Sequence, residues 1–111
     1  MNTNTTVMIT DAFIDRLIDN FRTKMLEEKR HVHFRRVQLK DAPEGFVEDL
    51  AYKFQLTITP FKDGSGVALV GYWALVVLVF TDPDSADALV YAVESGVDDV
   101  ASLIKSGRVF G

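Results

Sequence analysis

Every position from Val67 to Phe80 is apolar except Gly71. The run follows a turn signal, Lys62-Asp-Gly-Ser-Gly66, and stops at Thr81-Asp-Pro-Asp84. Valine and aromatic residues dominate it, which favours strand over helix. Both alternating sets are apolar: Val67, Leu69, Trp73, Leu75, Val77 and Val79 in one, Ala68, Val70, Tyr72, Ala74, Val76, Leu78 and Phe80 in the other. A strand of that kind has to be covered on both sides. Fully extended, the run would reach roughly 46 Å, too far for a domain with a radius of gyration of about 13 Å. Gly71 is the expected point of relief, through a bulge or sharp bend that divides the run in two. The alternative is that part of the run projects and pairs with a second subunit.

Other segments carry clearer periods. Phe13, Ile14, Leu17, Ile18, Phe21 and Met25 recur at three- and four-residue spacing and predict a helix over Thr10 to Arg30. Thr10 or Asp11 would cap its start, and Lys29-Arg30 would suit the negative end of its dipole. His31 to Lys40 reads as a strand whose alternation slips between Phe34 and Val37, which a bulge near Arg35-Arg36 would reconcile. Asp41-Ala-Pro43 reads as a turn. Phe46, Val47, Leu50, Ala51 and Phe54 then predict a short helix.

From Lys53 the period changes to two, giving a half-exposed strand with Phe54, Leu56 and Ile58 on one face. Pro60 places that strand at a sheet edge, and Asp63-Gly64 is a hairpin signal leading into the apolar run. Asp84 to Ser106 reads as a helix with Leu89, Val93, Val97, Val100 and Ile104 on one face, weakened at Ser95-Gly96 and stopped by Gly107. The expected order is α-β-α-β-β-α. It is an α+β fold: a small, mainly antiparallel sheet of about three strands, with a Phe54–Phe80 hairpin at its centre and amphipathic N-terminal, middle and C-terminal helices packed on it.

The chain has 111 residues, 48% hydrophobic and 25% charged, with a formal net charge of −4. Those values are ordinary for one globular domain and argue against disorder. Residues 10–111 are expected to form that domain, with residues 1–9 as a disordered lead-in that lacks the pattern of a signal peptide. The continuous apolar run is shorter than the roughly 20 residues a spanning helix needs, so no membrane span is expected. The absence of cysteine excludes disulfides and thiolate chemistry and suits a cytoplasmic setting.

Charge is unevenly distributed. Arg22, Lys24, Lys29, Arg30, Arg35, Arg36 and Lys40 are seven of the chain's twelve cationic side chains, opposed locally by only Glu27 and Glu28. Such a segment can follow a phosphate backbone, with Phe34 as a stacking group. It can equally be a solvated face neutralised by carboxylates between Asp82 and Asp99. The acidic group Asp82, Asp84, Asp87, Glu94, Asp98 and Asp99 could dock a basic partner, although three of the six stand where helix capping places them.

His31-x-His33 would put two imidazoles on one strand face, but a metal site needs at least a third ligand and no other histidine exists. Gly64-Ser-Gly66 precedes a strand and lacks the third glycine of a dinucleotide fingerprint. Tyr72, Trp73 and Phe80 read as core. No cofactor is expected.

These features point to a non-enzymatic interaction protein, homodimeric and cytoplasmic, that binds a protein partner. Its composition has the general look of many small phage or bacterial accessory or inhibitor proteins, without a motif that assigns it to one. The partner-binding residues expected from the sequence are Arg30, His31, His33, Phe34, Arg35 and Arg36. The alternative is a nucleic-acid-binding module using residues 22–40. A third reading is a small enzyme or ligand-binding domain with a pocket near Tyr72 and Trp73.

Overall fold

A computed structural model describes residues 2–41, 45–62, 64–82 and 85–106, with side chains from Asp15 onward except that of Ser95. The element order is α1 (Asn2–Glu27), β1 (Val32–Leu39), α2 (Phe46–Phe54), β2 (Thr57–Pro60), β3 (Gly66–Val70), β4 (Ala74–Asp82), β5 (Ser85–Val93) and α3 (Glu94–Ser106). The α+β class is as expected, but the antiparallel sheet has five strands, ordered β1-β5-β4-β3-β2.

The apolar run divides at Gly71 into β3 and β4. The Gly71 N–H donates to the Ala74 carbonyl at 2.8 Å and closes a tight reversal through Tyr72 and Trp73. Val70 pairs with Leu75 across it, so the side-chain parity inverts at the turn. Val67 and Leu69 therefore share a face with Val76 and Leu78, not with Leu75 and Val77. Residues 74–78 are completely buried within one chain.

Two cores result, one on each face of the sheet. Phe46, Leu50 and Ala51 of α2 and Val97, Val100, Ala101 and Ile104 of α3 pack on Leu69, Val76, Leu78, Ala88 and Val90. On the opposite face, Leu17, Ile18, Phe21 and Met25 of α1 cover Ala68, Leu75, Val77, Leu89 and Tyr91. Three helices on two faces supply the cover that the apolar strands require.

Three expectations need correction. Ser85–Val93 is strand rather than helix; Ala86, Ala88, Val90 and Ala92 point to the α2/α3 face and alternate with Asp87, Leu89, Tyr91 and Val93. Only Glu94 to Ser106 is helical, so the change of period falls beside the Ser95-Gly96 weak point. Second, β1 has no bulge: Val32 to Leu39 pair with Val93 to Ala86 in unbroken register. The slipped alternation has another cause, since Val32 packs on the α1 face and Val37 and Leu39 on the opposite one. Third, α1 begins at Asn2, so residues 2–9 are helical and Thr10 and Asp11 lie inside the helix. The Pro43, Asp63, Asp84 and Gly107 expectations fall outside the described residues.

Pro60 does end an edge strand, β2. Both α1 and α2 finish in the same way. Lys29 has φ 59°, with Lys29 N–H donating to Leu26 O and Arg30 N–H to Met25 O; Gln55 has φ 56°, with Leu56 N–H donating to Ala51 O at 2.8 Å. This pair of bonds, with a left-handed residue after the helix, is the Schellman termination, a position at which glycine avoids the Cβ penalty. Lys29→Gly and Gln55→Gly should each stabilise the fold by about 0.5–1 kcal/mol, the left-handed strain being only partly offset by chain entropy. Paired urea titrations would check this; a loss of stability in both variants would contradict it.

Candidate partner-binding surface

The basic segment forms the end of α1, the following turn and the whole of β1. Pairing with β5 alone makes β1 the sheet edge. Because successive strand residues point to opposite faces, the segment's side chains separate into two groups. His33 and Arg35 lie on the α3 face, and Phe34 and Arg36 on the α1 face. Sequence alone groups these residues; the sheet divides them.

On the α3 face, Arg35 Nε donates to Asp98 Oδ1 at 3.0 Å, and its Nη2 lies 3.0 Å from the same oxygen. Both side chains are more than half exposed. On the α1 face, Arg36 grips Asp87 of β5 through Nε, at 3.2 and 3.1 Å to the two carboxylate oxygens, and through Nη2. The hydrogen bond to Asp87 raises the Arg36 pKa further, with the carboxylate charge adding to the effect. The exposed Arg35–Asp98 pair is geometrically specific but energetically minor, whereas the Asp87 carboxylate is largely covered, with 20% of its side chain exposed. Phe34 lies against Tyr91 with ring centroids 4.8 Å apart and keeps 48% of its surface exposed.

Arg30 sits elsewhere, 5.8 Å from the centre of the Tyr72 ring, with Lys24 5.2 Å away over the same ring. Tyr72 O–H donates to Glu28. These contacts tie the end of α1 to the β3–β4 turn. Tyr72 is therefore an exposed clasp rather than core, and Phe80 is also exposed. His31 and His33 are exposed too; the His31 carbonyl accepts from Glu94 N–H at 3.4 Å. Among the described residues no cluster of three histidines or carboxylates gathers that could hold a metal.

Beside β1 lies an open groove of 760 Å³ between its outer side and α3. Arg35, Arg36, Lys40 and Lys105 line it, with Asp98 and Ser102. Four cations against one carboxylate make this a basic recess on a chain whose net charge is −4. Lys105 is the member that sequence reading missed. It lies 65 positions beyond Lys40 and reaches the groove only because α3 packs across β1 and β5.

Two tyrosines titrate abnormally. Tyr91 is raised above the ordinary 10.0 chiefly by desolvation, and Tyr72 chiefly by its hydrogen bond to Glu28. The neutral phenol is thus favoured in the folded state. Its contribution to stability is fully present below pH 10 and is lost as pH rises through the folded value. Alkaline difference spectra should show two tyrosines ionising late, with Tyr91→Phe removing one of them. An unchanged late phase in that variant would contradict the assignment.

Compared with known family models, curated proteins and solved structures, the chain matches none of them. The functional reading rests on the chemistry of this surface. No helix among the described residues is long and apolar enough to cross a membrane.

Proposed function

We propose that the protein is a non-enzymatic interaction module that binds a protein partner through the β1 side of its sheet. The supporting observation is the edge strand itself: eight residues, paired on one side only, carrying exposed Phe34, Arg35 and Arg36 beside a basic groove. Aromatic and arginine side chains are the types that dominate protein interfaces. The nucleic-acid reading has less support from this geometry. Phe34 is not part of the groove lining and its ring is engaged by Tyr91, whereas a single-strand binder combines a free stacking ring with the cationic track. A pocket at Trp73 is also less favoured, because Phe54 packs edge-on against the indole at 5.6 Å.

The homodimer expected from the sequence rested on an apolar run too large for one chain to cover. One chain covers it, so this proposal requires a partner only at β1. The cytoplasm is the proposed setting, on the ground of a chain without cysteine.

A photo-crosslinking residue at Phe34, in cells that naturally express the protein, tests the proposal. The expected product is a discrete protein adduct, absent when the crosslinker replaces Tyr52 on α2. Adducts that are lost to nuclease treatment would replace this reading with nucleic-acid binding.

A further inference from the structure

We infer that the free edge of β1 accepts an extended acidic segment of the partner as a sixth strand, with its carboxylates lying in the groove between β1 and α3. This deepens the proposed function and rests on it.

The backbone supplies the first argument. In an antiparallel ladder alternate residues turn their N–H and C=O groups away from the neighbouring strand. With β5 on one side and, among the described residues, no strand on the other, β1 presents an outward row of such groups over eight residues. Sheet edges are ordinarily protected by shortness, proline or a bulge. β2 has the first two, being four residues long and ending in Pro60. β1 has none of the three, since its register with β5 is unbroken from Val32 to Leu39. Its only guard is charge, and that charge has one sign.

Charge decides the occupant. A second copy added antiparallel about the middle of β1 would place Arg35 opposite Arg36 twice. Like charges directly opposite on neighbouring strands are destabilising. A segment bearing glutamate or aspartate meets the reverse situation. Lys40 and Lys105 have no carboxylate partner among the described residues, while Arg35 is held only by an exposed pair to Asp98. Arginine has five N–H donors, so Arg35 can serve an incoming carboxylate while keeping Asp98. Recognition then combines main-chain hydrogen bonds for affinity with alternate side chains for selection, as in known strand-addition complexes.

The test uses the full chain and an eight-residue peptide alternating glutamate with valine, a lysine-for-glutamate counterpart, and a glutamate peptide N-methylated at every residue so that neither of its edges can donate to the ladder. A single-stranded oligonucleotide is the fourth probe. The acidic peptide should bind, slow amide exchange along β1, and weaken with added salt. Lys40→Glu with Lys105→Glu should weaken it by about tenfold, since each exposed pair is worth up to about 1 kcal/mol. N-methylation should weaken it by at least as much. Both substitutions are at exposed positions, and an unchanged circular dichroism spectrum would show that the variant folds.

Equal binding of the lysine peptide, equal binding of the N-methylated one, or no binding at millimolar peptide would overturn strand addition. If the Phe34 adduct to protein persisted in that event, the proposed function would stand without it. Preferential, salt-sensitive binding of the oligonucleotide would overturn both.

Discussion

Gly66→Ala should lower stability by about 3 kcal/mol or more, because the added methyl has nowhere to go. A Cβ built on Gly66 falls 2.0 Å from the Leu78 carbonyl oxygen and 3.1 Å from the Phe61 ring. The first of these is backbone in the central strand β4, and it cannot rotate aside. Relief requires parting β3 from β4 where Gly66 faces Val79, and Phe80 N–H donates to Ser65 O at 2.8 Å nearby. For a domain of this size each kcal/mol moves Tm by about 4–8 °C, so the variant should melt well over 10 °C lower. Thermal denaturation followed by circular dichroism would show it. A shift of only a degree or two would mean that the strands separate at little cost.

The second large effect concerns Trp73, expected from the sequence to be buried and found partly buried. Its indole packs edge-on against Phe54 and lies over Gly96 at the start of α3. Its carbonyl accepts from Val93 N–H at 3.2 Å. The ring thus connects α2, the β3–β4 turn and the β5–α3 junction. Trp73→Ala should cost about 2–4 kcal/mol, somewhat below a fully buried aromatic. Gly96→Ala should also destabilise, by about 1–3 kcal/mol, because its Cβ would fall 2.1 Å from the indole Cζ3.

The combination is more informative than either change. With the indole gone the obstruction is gone, and alanine is favoured over glycine in a helix by about 1 kcal/mol. Gly96→Ala should therefore change sign, from destabilising in the native chain to neutral or stabilising in Trp73→Ala. A double-mutant cycle by urea denaturation measures that coupling directly. Additive losses would show that Gly96 is required for its backbone rather than for the room it leaves the ring.

Local pattern determined much of the fold. The apolar spacing of Phe46, Leu50 and Ala51 specified α2, because a short helix on a core needs only its own stripe. Pro60 marked an edge, since a residue without N–H cannot sit inside a ladder. Gly71 marked the division of the apolar run, because chain length and domain size together forbid one continuous strand. Each of these depends on a few neighbouring residues or on a length limit.

β5 was decided by tertiary structure. Ala86, Ala88 and Ala92 are good helix formers, and Leu89, Val93 and Val97 mimic a helical stripe. The segment is strand because it fills the space between β1 and β4, where ladder bonds on both sides and burial against two helices outweigh propensity. The same long-range pairing set the candidate surface. Sequence determined that cations cluster between Arg22 and Lys40. Only the sheet order made β1 an edge, turned Arg35 and Arg36 to opposite faces, and brought Lys105 to the groove, because these depend on which strands meet across the whole chain.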